Sequence, residues 1–150
     1  MFFRSLTQQL KRATIILLAA VSVTVALSGP AASQDGGLDM TLNRVKTSGE
    51  ACRFTFIFRN ALGAAIDKAS FELVVFTEGG LVDRFVQITT GAMPKGKMRA
   101  KQFDFDKLDC AKVEKVLVND VKACDGQGLD PAVCLARLNV SGNKSIELLL

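Results

Sequence analysis

Residues 52–60, CRFTFIFRN, set Cys52, Phe54, Phe56 and Phe58 at every second position, with Arg53, Thr55 and Arg59 between them. Successive side chains of a strand point to opposite faces, so this alternation makes one face apolar and the other wet. The same period recurs along the chain. FELVVFT carries Phe71, Leu73 and Val75 on one face and Val74 and Phe76 on the other, the pattern of an inner strand. TEGG then predicts a turn, because Gly79 and Gly80 tolerate positive φ, and LVDRFVQITT returns as the hairpin partner. LDMTLNRVK, KQFDFD, VEKVLVNDV and SIELLL supply four more strands. A helix is predicted only near residues 131–138, where Asp130 caps and Pro131 suits the first helical position. About seven short strands separated by Gly, Pro and Asn predict an all-β fold, an immunoglobulin-like antiparallel β-sandwich.

The meaning of the cysteines depends on compartment. The opening MFFRSLTQQLKR has Arg4, Lys11 and Arg12 as its charged side chains, and Ala13–Leu27 is almost wholly apolar. Small residues follow, with Ala31 and Ser33 at the −3 and −1 positions before Gln34. This is the layout of a cleavable secretory signal over residues 1–33, followed by a domain over 34–150. No cysteine stands directly after the apolar run, so a lipoprotein anchor is not expected, and the location predicted is periplasmic. A leader kept as a membrane anchor is the alternative, although the run is shorter than the roughly 18 residues of a spanning helix. Residues 1–33 hold three of the 19 basic residues and none of the 15 acidic ones. The remainder carries 16 against 15, and no nucleic-acid partner is expected.

Residues 54–105 resemble the FxLYD-type, immunoglobulin-like domains of bacterial exported proteins. FIFRNALGAAIDKASFELVVFTEGGLVDRF and MPKGKMRAKQFDF follow that plan: a strand ending in Asn, a small-residue turn, an apolar strand, a Gly turn and a Pro/Gly loop before a Phe-bearing strand. Asn60, Phe71, Phe76, Gly80, Pro94, Gly96 and Phe103 occupy its positions, and Thr77 stands where the family has aspartate. With the cysteines included, LNRVKTSGEACRF and FDKLDCAKVEKVLVNDVKAC resemble small alphaproteobacterial periplasmic proteins. The resemblance implies fold and compartment and no catalytic residue.

Cys52, Cys110, Cys124 and Cys134 are separated by 57, 13 and 9 residues. A redox pair needs close spacing and a Cys/His zinc site needs histidine, which the chain lacks; four-cysteine zinc sites normally use close pairs. An exported chain of this size therefore predicts two disulfides, with no metal and no cofactor. If VEKVLVNDV is a strand, the fourteen steps from Cys110 to Cys124 span roughly 46 Å, whereas bridged Cα atoms lie within about 7 Å. That pair is excluded, and two connectivities remain. Cys124–Cys134 with Cys52–Cys110 is preferred, because Gly126 and Gly128 let DGQGLDPAV reverse.

The remaining candidates are weaker. Asp104, Asp106 and Asp109 lack the glycine turn and glutamate of a calcium loop, and Asp104 and Asp106 alternate with Phe103 and Phe105 as a wet strand face does. Ser70 and Ser141 have no histidine to activate them. In PKGKMRAKQF, Lys95, Lys97, Arg99 and Lys101 fall at every second position, and the same parity runs into Phe103 and Phe105. A cationic row cannot continue into a core-facing row unless a bulge intervenes or the row overhangs the sandwich edge. Either way a basic ridge results, suited to an anionic ligand or, as the plainer reading, to guarding an edge strand against aggregation. Together these features predict a non-enzymatic binding or assembly module whose partner is another envelope protein or an anionic surface, with membrane contact only if the leader is retained. The alternatives are a membrane-tethered subunit and a thiol-redox or metal-dependent enzyme.

Overall fold

In the computed structural model, which describes residues 36–150, the alternating segments become the strands of two stacked sheets. The predicted leader, residues 1–33, lies outside the described residues. β1 (Leu38–Ser48) and β2 (Ala51–Asn60) form a hairpin, with Gly49 at φ 61° in its two-residue turn. β3 (Lys68–Thr77) and β4 (Leu81–Thr89) form a second across Gly79 and Gly80, both at φ 73°. β5 (Met98–Asp106) returns to the first sheet and β6 (Val113–Asp125) to the second. After helix α1 (Pro131–Ala136) come β7 (Leu138–Ser141) and β8 (Glu147–Leu149). The strand orders are β5-β2-β1-β7 and β4-β3-β6-β8.

The core is the space between the sheets. Phe54, Phe56 and Phe58 of β2 are fully buried, as are Phe71, Leu73 and Val75 of β3. Phe58 stacks across the interface on Phe71 with ring centroids 5.7 Å apart, and Phe105 meets Phe54 edge-on at 4.9 Å. Full burial of each such side chain stabilises by ~1.5–3 kcal/mol, so β2 and β3 anchor the fold. In β1 the register shifts between Leu42 and Arg44, which returns Val45 to the side of Phe54 after Leu38, Met40 and Leu42.

The all-β sandwich holds, with two corrections. Eight strands are present among the described residues, and two pairings are parallel: β1 with β7, and β6 with β8. The helix predicted near 131–138 stops at Ala136, and Leu138–Ser141 is strand. The cause is where α1 sits. Asp130 Oδ1 accepts from Val133 N at 2.7 Å to start it, and Arg137 N donates to Cys134 O to end it. The helix thus carries the chain from the end of β6 to the end of the other sheet where β1 begins, marked by Leu38 N donating to Arg137 O at 2.9 Å. A strand entering there runs with β1. The turn at Asn143, whose Oδ1 accepts from Ser145 N and Ile146 N, then returns the chain to the second sheet as β8.

The C-terminal strands therefore close one side of the sandwich. On the other side, edges β4 and β5 are bridged by Arg84, which donates to Asp106 O at 2.8 Å and Lys107 O at 3.3 Å and pairs with Asp83.

Candidate functional site

Both preferred disulfides are present. Cys52–Cys110 joins β2 to the 3₁₀ turn Cys110–Lys112 that leads directly into β6, with Cα atoms 5.2 Å apart, and so ties the two sheets together. Cys124–Cys134 joins the end of β6 to α1 across 6.4 Å. No described cysteine is free. Two disulfides fit an oxidising environment of the kind exported proteins meet.

The four cations do not share one strand. Lys97 N donates to Pro94 O at 3.1 Å, closing a turn whose third residue, Gly96, has φ 72°. Gly96 N donates to Asn60 O at 2.7 Å while Asn60 N donates to Lys97 O at 3.0 Å. Two residues thus oppose Asn60, the geometry of a bulge that needs glycine in the left-handed region. Lys95 and Lys97 belong to this turn; only Arg99 and Lys101 lie in β5. From Arg59↔Met98 to Ala51↔Asp106 the register with β2 is unbroken. Arg99 lies opposite Phe58, Lys101 opposite Phe56, and Phe103 opposite Phe54. Both cations therefore have core-facing parity, yet Arg99 is exposed and Lys101 half-exposed, while Phe105 is buried. Long aliphatic stems permit such a position, because they can run along apolar surface while the charge stays in water. The bulge and the overhang both occur, in succession.

Asn60 underlies the ridge. Fully buried, it donates from Nδ2 to Ala64 O at 2.9 Å and Met93 O at 2.8 Å, and its Oδ1 accepts from Leu62 N at 3.0 Å. One side chain thus ties the loop leaving β2 to the loop entering β5.

Charge is distributed unevenly. Arg53 donates from Nε and Nη2 to the two carboxylate oxygens of Asp104, each at 2.6 Å, Arg84 pairs with Asp83, and Lys122 sits on Asp120 and Glu72. Lys95, Lys97, Arg99 and Lys101 have no ion pair among the described residues. Asp104 is therefore a cross-strand partner rather than a vacant ligand, and Asp109 Oδ1 accepts from Ala111 N. No described cluster of Cys, Asp or Glu could hold a metal ion.

Hydrogen bonding to Arg53 lowers the Asp104 pKa, with desolvation opposing it and the Arg53 charge adding to it. A carboxylate with a depressed folded pKa stabilises above its unfolded value and loses that contribution as pH falls through the folded one. Asp104→Asn should consequently lower the thermal midpoint at neutral pH, with the difference from wild type vanishing in strong acid. A constant difference across a pH series would show that the ion pair contributes nothing.

Two further surfaces are present. On the outer face of the first sheet, Asp39, Thr41, Ile57, Arg59, Met98 and Asn139 line a shallow hollow of about 330 Å³. Four of its polar side chains are engaged in pairs: Asn139 donates to Asp39 at 3.0 Å, and the Thr41 and Ser141 hydroxyls lie 2.9 Å apart. On the outer face of the second sheet, Val82 and Phe85 are 51% and 63% exposed beside half-buried Phe76, over which Lys115 Nζ stands 5.2 Å from the ring centroid. The sequence carried a signal for this apolar patch in FELVVFT, whose two faces are both apolar, but that pattern reads as an inner strand. β3 is indeed inner within its sheet; its outer face is simply left apolar.

Ser70 is buried, donating to Ile88 O and accepting from Gln87 Nε2 at 2.7 Å. Among the described residues, no helix is long and apolar enough to cross a membrane. No family model, curated protein or solved structure matches the chain.

Proposed function

We propose that this chain is an exported, non-enzymatic binding or assembly module of the bacterial periplasm, and that its cationic β5 edge docks an anionic partner. One observation carries the reading: Lys95, Lys97, Arg99 and Lys101 are gathered along the start of one sheet edge, and none of the four has an ion pair among the described residues. Support for a non-catalytic role comes from the chemistry of the side chains. The chain has no histidine, its cysteines are tied in disulfides, and the Ser70 and Ser141 hydroxyls are engaged in hydrogen bonds. The leader sequence and the likeness of residues 54–105 to FxLYD-type domains support export and the periplasm.

Each exposed charge near an anionic surface contributes on the order of 1 kcal/mol, so four together give measurable, salt-sensitive association. Wild type should be held on immobilised polyglutamate or phosphatidylglycerol vesicles at low salt and released at high salt. A variant with Lys95, Lys97, Arg99 and Lys101 all changed to Gln should be held by neither. Its thermal midpoint should be almost unchanged, since exposed charges add little stability. Wild-type retention by that variant, accompanied by stronger light scattering, would reduce the ridge to an aggregation guard and overturn the proposal.

A further inference from the structure

We infer that β5 is a strand-addition edge, on which an acidic, extended segment of a partner protein adds as a fifth strand of the first sheet. The inference rests on the anionic docking proposed above and specifies its partner and geometry.

Among the described residues, the four sheet edges differ. β7 has four residues and β8 three, too short to template much pairing. β4 has nine, but its register against β3 shifts between Val75 and Phe76. β5 also has nine, with neither bulge nor proline from Met98 to Asp106. It is the long, straight edge.

Its backbone phase follows from one bond. Antiparallel neighbours alternate between pairs that exchange hydrogen bonds and pairs that do not. Asn60 N donates to Lys97 O, so Arg99, Lys101 and Phe103 turn their backbone groups toward β2. Met98, Ala100, Gln102 and Asp104 turn theirs outward. Arg84, donating to Asp106 O, occupies the next outward carbonyl and marks where the free edge ends.

Side chains select the occupant. Directly opposed residues of two strands share a face, so an added strand presents alternate residues to Arg99 and Lys101. Carboxylates there meet two unpaired cations, with Lys95 and Lys97 beyond them. A second copy of β5 does not fit. Antiparallel registers centred near residues 100 and 101 set Lys101 against Lys101 or against Arg99, and like charges directly opposed are destabilising. The registers that avoid this set both cations against Phe103 and Phe105. The same charges thus repel self-pairing and favour an acidic strand.

The probe is a fluorescein-labelled peptide, acetyl-(Glu-Thr)4-amide, titrated into the oxidised protein at low salt. Two further peptides carry backbone N-methyl groups on all Thr or on all Glu nitrogens. Methyls on the Thr side block antiparallel addition and those on the Glu side parallel addition. One peptide should therefore lose about tenfold or more in affinity, as several hydrogen bonds are removed, and the other should bind like the parent. In the protein, Ala100→Pro removes an outward N–H without touching the ladder to β2, a position where edge strands accept proline. It should keep the fold and lose peptide affinity to the same degree. Should that variant fail to fold, the methylated peptides decide alone against wild type. Equal binding of all three peptides, abolished only by the fourfold Gln variant, would overturn strand addition and leave anionic docking standing. Binding to vesicles without binding of the parent peptide would assign the edge to a lipid surface instead and equally overturn the inference.

Discussion

Cys52→Ser is expected to abolish accumulation of the folded domain, whereas Cys134→Ser should leave a folded, less stable one. The Cys52–Cys110 bridge closes a loop of sequence separation 58 and the Cys124–Cys134 bridge one of 10. Chain entropy alone makes the first worth ~4.2 kcal/mol and the second ~2.8 kcal/mol. Domains of this size have roughly 5–15 kcal/mol in total. Burial does not distinguish the two single variants, since Cys52 and Cys134 are both fully buried, so the difference rests on loop size. Misoxidation by the released partner thiol is controlled by the double replacements Cys52→Ala with Cys110→Ala, and Cys124→Ala with Cys134→Ala. Urea midpoints should fall further for the first pair. Equal losses in both pairs would show that loop size does not govern stability here.

A nearly isosteric change at Asn60 should cost almost as much. In Asn60→Asp a carboxylate replaces a group that donates to two carbonyl oxygens at 2.8 and 2.9 Å in a fully buried position. An uncompensated buried charge costs roughly 3–5 kcal/mol. Asn60→Ala, which leaves Leu62 N and Ala64 O without this partner, should cost about 1–3 kcal/mol per stranded group. Acid separates the two variants. Burial and the facing carbonyls raise the folded pKa of the new carboxyl, so its stability is greatest below the unfolded value and is lost as pH rises through the folded one. The urea midpoint of Asn60→Asp should therefore recover on acidification, and that of Asn60→Ala should not. Wild-type stability of Asn60→Asp at neutral pH would mean that the loops before β3 and β5 hold without the side chain.

The parts of the fold that were legible in the sequence are those set by local period or simple reach. Cys52, Phe54, Phe56 and Phe58 declare a half-buried strand by alternation alone. The length of an extended segment between Cys110 and Cys124 was enough to separate them. β7 was not legible, because Arg137 and Leu138 continue the helical pattern of PAVCLA and four residues show hardly one period of alternation. Its parallel sense depends on which end of the sandwich α1 crosses, a matter of distant contacts with Leu38. The cationic site was legible in membership but not in geometry. Spacing placed Lys95, Lys97, Arg99 and Lys101 in one row, whereas the left-handed Gly96 opposite Asn60 divides them into turn and strand. Nothing local to PKGKMRAKQF identifies Asn60, 37 residues before Lys97, as the partner that forces the bulge.

The placement of the two bridges also has a mechanical consequence. A covalent path from β1 to β8 runs to Cys52, crosses to Cys110, follows β6 to Cys124 and crosses again to Cys134. Residues 53–109 and 125–133 lie off that path, as closed loops. Tension applied between the two ends of the domain first strips short β8 and then shears β7 from β1, but it cannot be transmitted along the backbone of β3, β4 or β5. The oxidised chain is thus shorter in contour than its sequence, and its cationic edge hangs on a loop that bears no load.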